Sequence, residues 1–446
     1  MKKSTLGRAC LAGGITALAL GLVPSAAHAD DAPVERKTLP VLVEFTDSSF
    51  QHPDKVAEGT PDTYFGDRKD SLASYFSELS RGRYTLVPAV DEQYIGPVEL
   101  PMSAAGCDNG RINELTREAL AEKGLTMGED YESLSMVFPA QKTGCAWAGL
   151  ATVPGPYTWI NLYGTASGLG VLGHEFGHNM GWGHQTRSMC TDGDLVGCEV
   201  NGTSAKSLMG GGGPGAGVSA PELIRAGWLT DGEAVKVTES GTFTLRSLHG
   251  EGSGVRALDI PMGEDRLVVE YRHAAGSFDD RIEGVHAYRV PKGDYGSSTL
   301  IDLTEANKTV GNDAPADADA VTALKDTASK VSVAVVSSGD GQAKVRVSLD
   351  GEDLSTVVDA PEPSAEPDPA HTGSDTNAGD APLDGTQPQG GAEEPAADAD
   401  AGAGAADENL AATGGSSATL PVALGGAALV AAGATGLFLL RRRRNA

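Results

Sequence analysis

Basic residues are scarce in this chain: 34 Lys and Arg stand against 61 Asp and Glu, for a formal charge of -27. A chain so short of cations lacks the positive surface on which nucleic-acid binding depends. The deficit is uneven. Residues 351–409 carry fifteen acidic residues, no Lys or Arg and almost no large apolar side chain. Such a composition cannot bury enough surface to fold, and it predicts a disordered, self-repelling stalk with an upper reach on the order of 180 Å. Over half of the net charge sits there, so the acidity says little about the folded body. Cysteine is scarce too, with five in the whole chain. No C-x-x-C spacing occurs, which counts against a cysteine-based zinc site. No internal repeat period is visible.

The two ends carry processing signals. Lys2, Lys3 and Arg8 accompany the apolar stretch CLAGGITALALGLV, and AHA at 27–29 places small residues before Asp30. That order reads as a secretory signal over 1–29, since the apolar run is too short for a membrane span. Cys10 would leave with it. Cys107, Cys145, Cys190 and Cys198 remain, and an even count in an exported chain predicts two disulfides. Of the three possible pairings, Cys190 with Cys198 makes a local staple and Cys107 with Cys145 closes the longer loop; four free thiols is the other reading.

At the far end LAATGG (410–415) precedes an apolar run from about 418 to 440 and RRRR at 441–444. The run is about long enough to cross a bilayer as a C-terminal apolar helix, with the arginines in the cytoplasm. A single-pass membrane anchor is therefore one reading. A Leu-Ala-x-Thr-Gly element ahead of an apolar run and a basic tail also resembles the sorting signal of Gram-positive surface proteins, in the variant of high-GC actinobacteria. That resemblance implies a sortase cut between Thr413 and Gly414 and attachment to peptidoglycan. Residues 410–446 would then form the signal, and the cell wall would be the location.

Between these ends, TLPVLVEF (38–45) is a compact apolar strand. DRKDSLASYFSELSRGRYTLVPAV reads as a helix stopping at Gly82 and feeding a strand. NGRINELTREALAEKGL sets Ile112, Leu115 and Leu120 at helical spacing before Gly124. YESLSMVFPA and LATVPGPYTWINLY read as strands. Alternating strands and helices predict a mixed α/β sheet for residues 30–234. After 235 the runs GTFTLRSL, GVRALDI, DRLVVEYRH, GVHAYRV, KVSVAVVSS and QAKVRVSL alternate and are separated by Gly, Asp and Ser. That pattern predicts a small antiparallel β-sandwich-like domain over 235–350.

The chemistry lies in HEFGHNMGWGH (174–184), in a chain with only nine histidines. GLGVLGHEFGHNM is helical in pattern, and His174 and His178, four apart, share one face of that helix. Two rigidly held imidazoles make half of a zinc site, with bonds of roughly 2.0–2.1 Å. Glu175, one residue along, stands beside a metal and suits a general base acting on bound water. Gly181 lets the backbone turn as the helix ends, so that His184 returns as a third ligand and leaves a fourth position open. Three ligands and an open position mark a catalytic zinc site; structural sites are closed by four. His249, His273 and His286 fall in or near strands and read as structural.

The full H-E-x-x-H-x-x-G-x-x-H pattern resembles the metzincin metallopeptidases. In that family a tight turn carries a methionine beneath the zinc, and SAKSLMGGGG (204–213) offers Met209. VSAPELIRAGWL (218–229), RLVVEYR and GVHAYRV resemble the corresponding stretches of gametolysin-like secreted peptidases. The resemblance covers about 38 to 350. It implies a Zn2+-dependent endopeptidase acting on extracellular protein or peptide substrates, with TWINLY as a candidate edge for an extended peptide. Two departures stand out. Some members place a Tyr two residues after the methionine, where this chain has Gly211. Many are held latent by a pro-segment Cys, and the ten or so residues between Ala29 and the first strand contain none. A surface adhesin with an inactive or structural zinc site, and a zinc hydrolase of non-peptide bonds, are the alternatives.

Overall fold

The computed structural model describes residues 33–309, 313–316, 319–356 and 410–413. The expected signal peptide, most of the acidic stalk, Gly414, the apolar run and the arginine tail lie outside these. No helix among the described residues is long and apolar enough to cross a membrane.

The first sheet is built around β1 (Val34–Phe45), which contains the whole of TLPVLVEF. Its first half pairs in parallel with β2 (Tyr84–Pro88) and its second half with β3 (Ile95–Leu100). β4 (Ser133–Pro139) lies parallel to β1. β5 (Gly149–Thr152) and β6 (Tyr157–Leu162) form a hairpin, β6 running parallel to β4 and β5 antiparallel outside β6. The second part of β1 and strands β4, β5 and β6 are covered on both faces, which is why their runs are largely apolar, whereas β2 and β3 stay partly exposed. Leu42, Val137 and Ile160 face α1 (Pro53–Phe65) and α2 (Leu72–Leu79). Leu39, Val41, Met136, Phe138 and Trp159 pack instead with Ile112, Leu115 and Leu120 of α3 (Asn109–Glu122). The alternation follows from the two-residue period of a strand. α4 (Leu169–Asn179) joins the first face through Leu172 and Phe176.

No sequence signal noted above marks α1. Its two prolines argue against a helix, yet Pro53 sits in the first turn, where a missing N–H costs nothing. Val56, Thr60 and Tyr64, each four residues apart, supply the buried stripe.

Two further sheets follow. β7 (Thr186–Met189) and β8 (Glu199–Thr203) come first, then α5 (Ala220–Arg225), β9 (Ala234–Lys236) and β10 (Gly241–Arg246). β11 (Ala257–Met262), β12 (Asp265–Arg272), β13 (Gly284–Val290) and β14 (Thr299–Asp302) precede β15 (Ala323–Asp326), β16 (Val331–Gly339) and β17 (Gln342–Ser348). Seven strands run in the order β8-β7-β14-β13-β12-β11-β9, and four in the order β10-β17-β16-β15. The two sheets share a core in which Leu267, Val269 and Ile260 meet Val333, Val345 and Val347. This is sheet-on-sheet packing, but the larger sheet is not purely antiparallel as expected: β14 with β7 and β11 with β9 pair in parallel.

The β-region is not closed off at residue 235, however. Its larger sheet takes β7 and β8 from 186–203, and its other face, through Ala257, Val268 and Val290, belongs to the same core as α2 and α4. One more strand, β18 (Leu410–Thr413), adds antiparallel to β5 at the outside of the first sheet. TWINLY is therefore no edge: β6 has β4 on one side and β5 on the other. The run LATVPGPYTWINLY is two strands, separated by a turn at Gly155 and Pro156.

Candidate metal centre

α4 carries His174, Glu175 and His178, all buried, on a helix whose glycines are explained by what packs on it. The turn that holds Met209, a short helical turn at Leu208–Gly210, presses against the helix at Gly173 and Gly177. A Cβ at Gly177 would lie 2.6 Å from Met209 Sδ and 2.7 Å from Trp182 Cε3, closer than real contacts allow. Low helix propensity is accepted there because the methionine turn needs the space. Beneath, Phe76, Trp182 and Trp228 form an aromatic cluster with ring centroids 5.6–6.3 Å apart, which fixes the helix to the body.

The chain reverses after α4 at Gly181, whose φ of +85° lies in the left-handed region that favours glycine. His184 then returns towards the helix. The ring centroids of His174 and His178 are 4.6 Å apart, and that of His184 lies 5.2 Å and 5.0 Å from them. One ligand nitrogen from each of the three lies within 4.8 Å of the others. His184 is exposed, so the cluster opens to solvent on its side.

Two backbone carbonyls aim the rings. His174 Nδ1 bonds Leu208 O at 3.2 Å, and His178 Nδ1 bonds Trp182 O at 2.7 Å. A carbonyl can only accept, so each Nδ1 carries the proton and each Nε2 keeps its lone pair. Both Nε2 atoms are buried without a hydrogen-bond partner. Burial pushes the His174 pKa down to about 3, with the neighbouring histidines adding to the shift, and that of His178 down to about 4. Burial lowers His184 as well. At neutral pH the three rings are uncharged, which is the state that binds a metal. Buried, unpaired, neutral nitrogens converging on one point fit a zinc ion.

Glu175 is fully buried and its side chain lies against β5. A Cβ at Gly149 would stand 2.5 Å from Glu175 Oε1, so only glycine leaves room for the carboxylate beside this strand. Sequence reasoning gave Gly149 no role, and no local signal marks it, because the partner is 26 residues away.

The methionine turn is held by a buried polar network. Ser207 and Ser219 donate to Glu222 at 2.8–2.9 Å, and Gln185 N bonds Met209 O at 3.2 Å. Burial lifts the Glu222 pKa to about 7. Gly211 closes the turn with a φ of +100° and offers no side chain to the cleft. Cys107–Cys145 and Cys190–Cys198 are disulfides. His249 pairs with Asp279 at 2.8 Å and His273 with Glu283 at 2.7 Å, while His286 is buried among Lys206, Asp319 and Arg272; none of them joins the three-histidine cluster.

Residues 41–268 match the family model of the gametolysin peptidase M11 family. The chain belongs to that family. It is a family of metallopeptidases, so peptide-bond hydrolysis assisted by a metal is the chemistry this M11 chain shares, and the histidine cluster is compatible with zinc. No curated protein matches it. Among solved structures, an archaemetzincin from Methanopyrus kandleri is 13% identical and covers 43% of this chain and 86% of its own, at a TM-score of 0.20. OgpA from Akkermansia muciniphila is 14% identical and covers 61% and 89%, at 0.28. A chain in a chaperone–substrate complex is 14% identical and covers 42% and 30%, at 0.26, so this M11 chain spans less than a third of that one. At such TM-scores the family match alone carries the assignment.

Proposed function

We propose that this chain is a secreted, cell-surface-anchored zinc endopeptidase of metzincin type. The observation that carries the reading is the convergence of two imidazoles of α4 and that of His184, all neutral, beside the buried Glu175 and against β5. His174, His178 and His184 would hold the ion through their inward nitrogens, with Met209 packed beneath. Zinc, when bound, lowers the pKa of its water towards about 7 and polarises the scissile carbonyl.

The chain's own residues do the rest. The carbonyls of Leu208 and Trp182 keep two rings in the ligating tautomer. Glu175 takes the proton of the attacking water and passes it to the leaving amine. The outer side of β5, once β18 is displaced from it, would offer ladder hydrogen bonds to an extended substrate lying beside Glu175. The signal-like residues 1–29 and the LAATG element point to export, a sortase cut between Thr413 and Gly414, and peptidoglycan as the final tether.

The test uses the mature full chain and a mixed-sequence peptide library read by mass spectrometry, with and without a zinc chelator. Chelator-sensitive cleavage should fall by roughly 10²–10⁴-fold in Glu175→Gln, while bound zinc measured by elemental analysis stays the same. Intact peptides from a zinc-loaded wild type would instead favour a binding protein or a hydrolase of other bonds.

A further inference from the structure

β5 is the strand nearest Glu175, and it is already paired on both sides. Towards the sheet interior Gly149, Leu150 and Ala151 pair with Ile160, Trp159 and Thr158. On the outside all four residues of β5 pair antiparallel with β18: Thr152 with Leu410, Ala151 with Ala411, Leu150 with Ala412 and Gly149 with Thr413. α4 lies against both strands. The last of these pairs sits at Gly149, the residue whose missing Cβ makes room for Glu175. An unpaired strand edge recruits extended peptide, and here the recruit comes from the same chain.

We propose that residues 410–413 are an internal occupant of the peptide-binding edge, so that this protein covers its own cleft. The inference rests on the reading of β5 as the substrate edge. The occupant is reversible, because it is held by a four-residue ladder and not by a metal ligand. Being intramolecular, it acts at an effective concentration that does not depend on how much protein is present. The segment is also the Leu-Ala-Ala-Thr of the sorting element. Backbone engaged with β5 is not free for a transpeptidase, so covering the cleft and sorting draw on the same four residues. Handing them to the wall would open the cleft.

Hydrogen exchange read by mass spectrometry tests the docking without needing any catalysis. The full chain is compared with its Ala411→Pro, Ala412→Pro double variant. Adjacent residues of an antiparallel strand alternate in ladder bonding, so one of the two prolines removes a donor and both restrict the backbone. The outward amides of residues 149–152 should exchange roughly ten-fold or more faster in the variant. An excess of the synthetic peptide ENLAATGG should restore their protection. The variant should also cut a fluorogenic library peptide with a lower KM and unchanged kcat. Equal exchange in both proteins overturns the proposal, as does protection that rises with protein concentration, which would place a second copy's segment on the edge. A change in exchange without any peptide cleavage would sustain the docking and sink the peptidase reading.

Discussion

The guanidinium of Arg272, at the end of β12, donates to the backbone oxygen of Lys206 at 2.9 Å. A second nitrogen of the same group donates to Ala216 O. One buried side chain from the β-region thus grips both ends of the loop that carries Met209. Glu270 and Asp279 balance its charge, at 2.9 Å and 2.5 Å. The loop that carries Met209 is therefore supported from the second sheet, across the shared core.

Arg272→Met should be costly for that reason. It leaves Glu270 and Asp279 buried without their cation and the two loop carbonyls without their donor, which is worth about 3–5 kcal/mol. Denaturant unfolding of the variant should show that loss. A midpoint unchanged from wild type would mean that the loop holds itself.

Packing at the helix glycines makes a second test. Gly177→Ala forces a methyl group into Met209 and Trp182, an overpacking cost of about 1–3 kcal/mol. Trimming the methionine relieves it. In a double-mutant cycle, Gly177→Ala combined with Met209→Ala should be less damaging than the sum of the two single changes. Strict additivity would show that the two sites do not press on each other.

The disulfides should differ in worth by loop length. Cys107–Cys145 spans a sequence separation of 38 and Cys190–Cys198 one of 8. Restriction of the unfolded chain predicts roughly 4 and roughly 2.5 kcal/mol respectively. Paired Cys→Ala variants, compared by thermal unfolding, should rank in that order.

The histidines give the metal-free protein a defined acid sensitivity. Burial holds His174 at about 3 and His178 at about 4, below the free value of 6.5. The unfolded chain therefore binds more protons than the folded one in this window. Stability is fully present above pH 6.5 and is lost as the pH falls towards 4 and 3. Thermal unfolding after chelation should show Tm declining across that range. The zinc-loaded protein should start from a higher Tm at neutral pH and decline at least as steeply, because its bound nitrogens stay unprotonated while the unfolded chain still takes up protons. Identical curves with and without chelator would count against these residues as ligands.

The helix that brings His174 and His178 together was legible because its information is local. Four-residue spacing, one glutamate and a glycine stop lie within eleven consecutive residues. The strands after 235 were legible through alternation. What stayed hidden is carried by the backbone or by distant partners. The carbonyls of Leu208 and Trp182 that orient the imidazoles leave no mark in side-chain identity. Gly149 looks like any strand glycine until Glu175 arrives beside it. α1 was obscured because a proline in a first turn looks the same in sequence as a proline that ends a helix. Whether TWINLY is an edge or a covered strand stayed open in the sequence, because the strand that covers it lies in the same apolar run, before one short turn.

The shared core also bears on where this protein can be cut. The family match ends at residue 268, inside β12 and ahead of Arg272. A fragment trimmed to that limit would sever a central strand, bare one side of the aromatic cluster's core and release the loop over which the zinc would sit. The portion recognisable by kinship is smaller than the portion that must fold together, and a working fragment has to extend through β17 at Ser348.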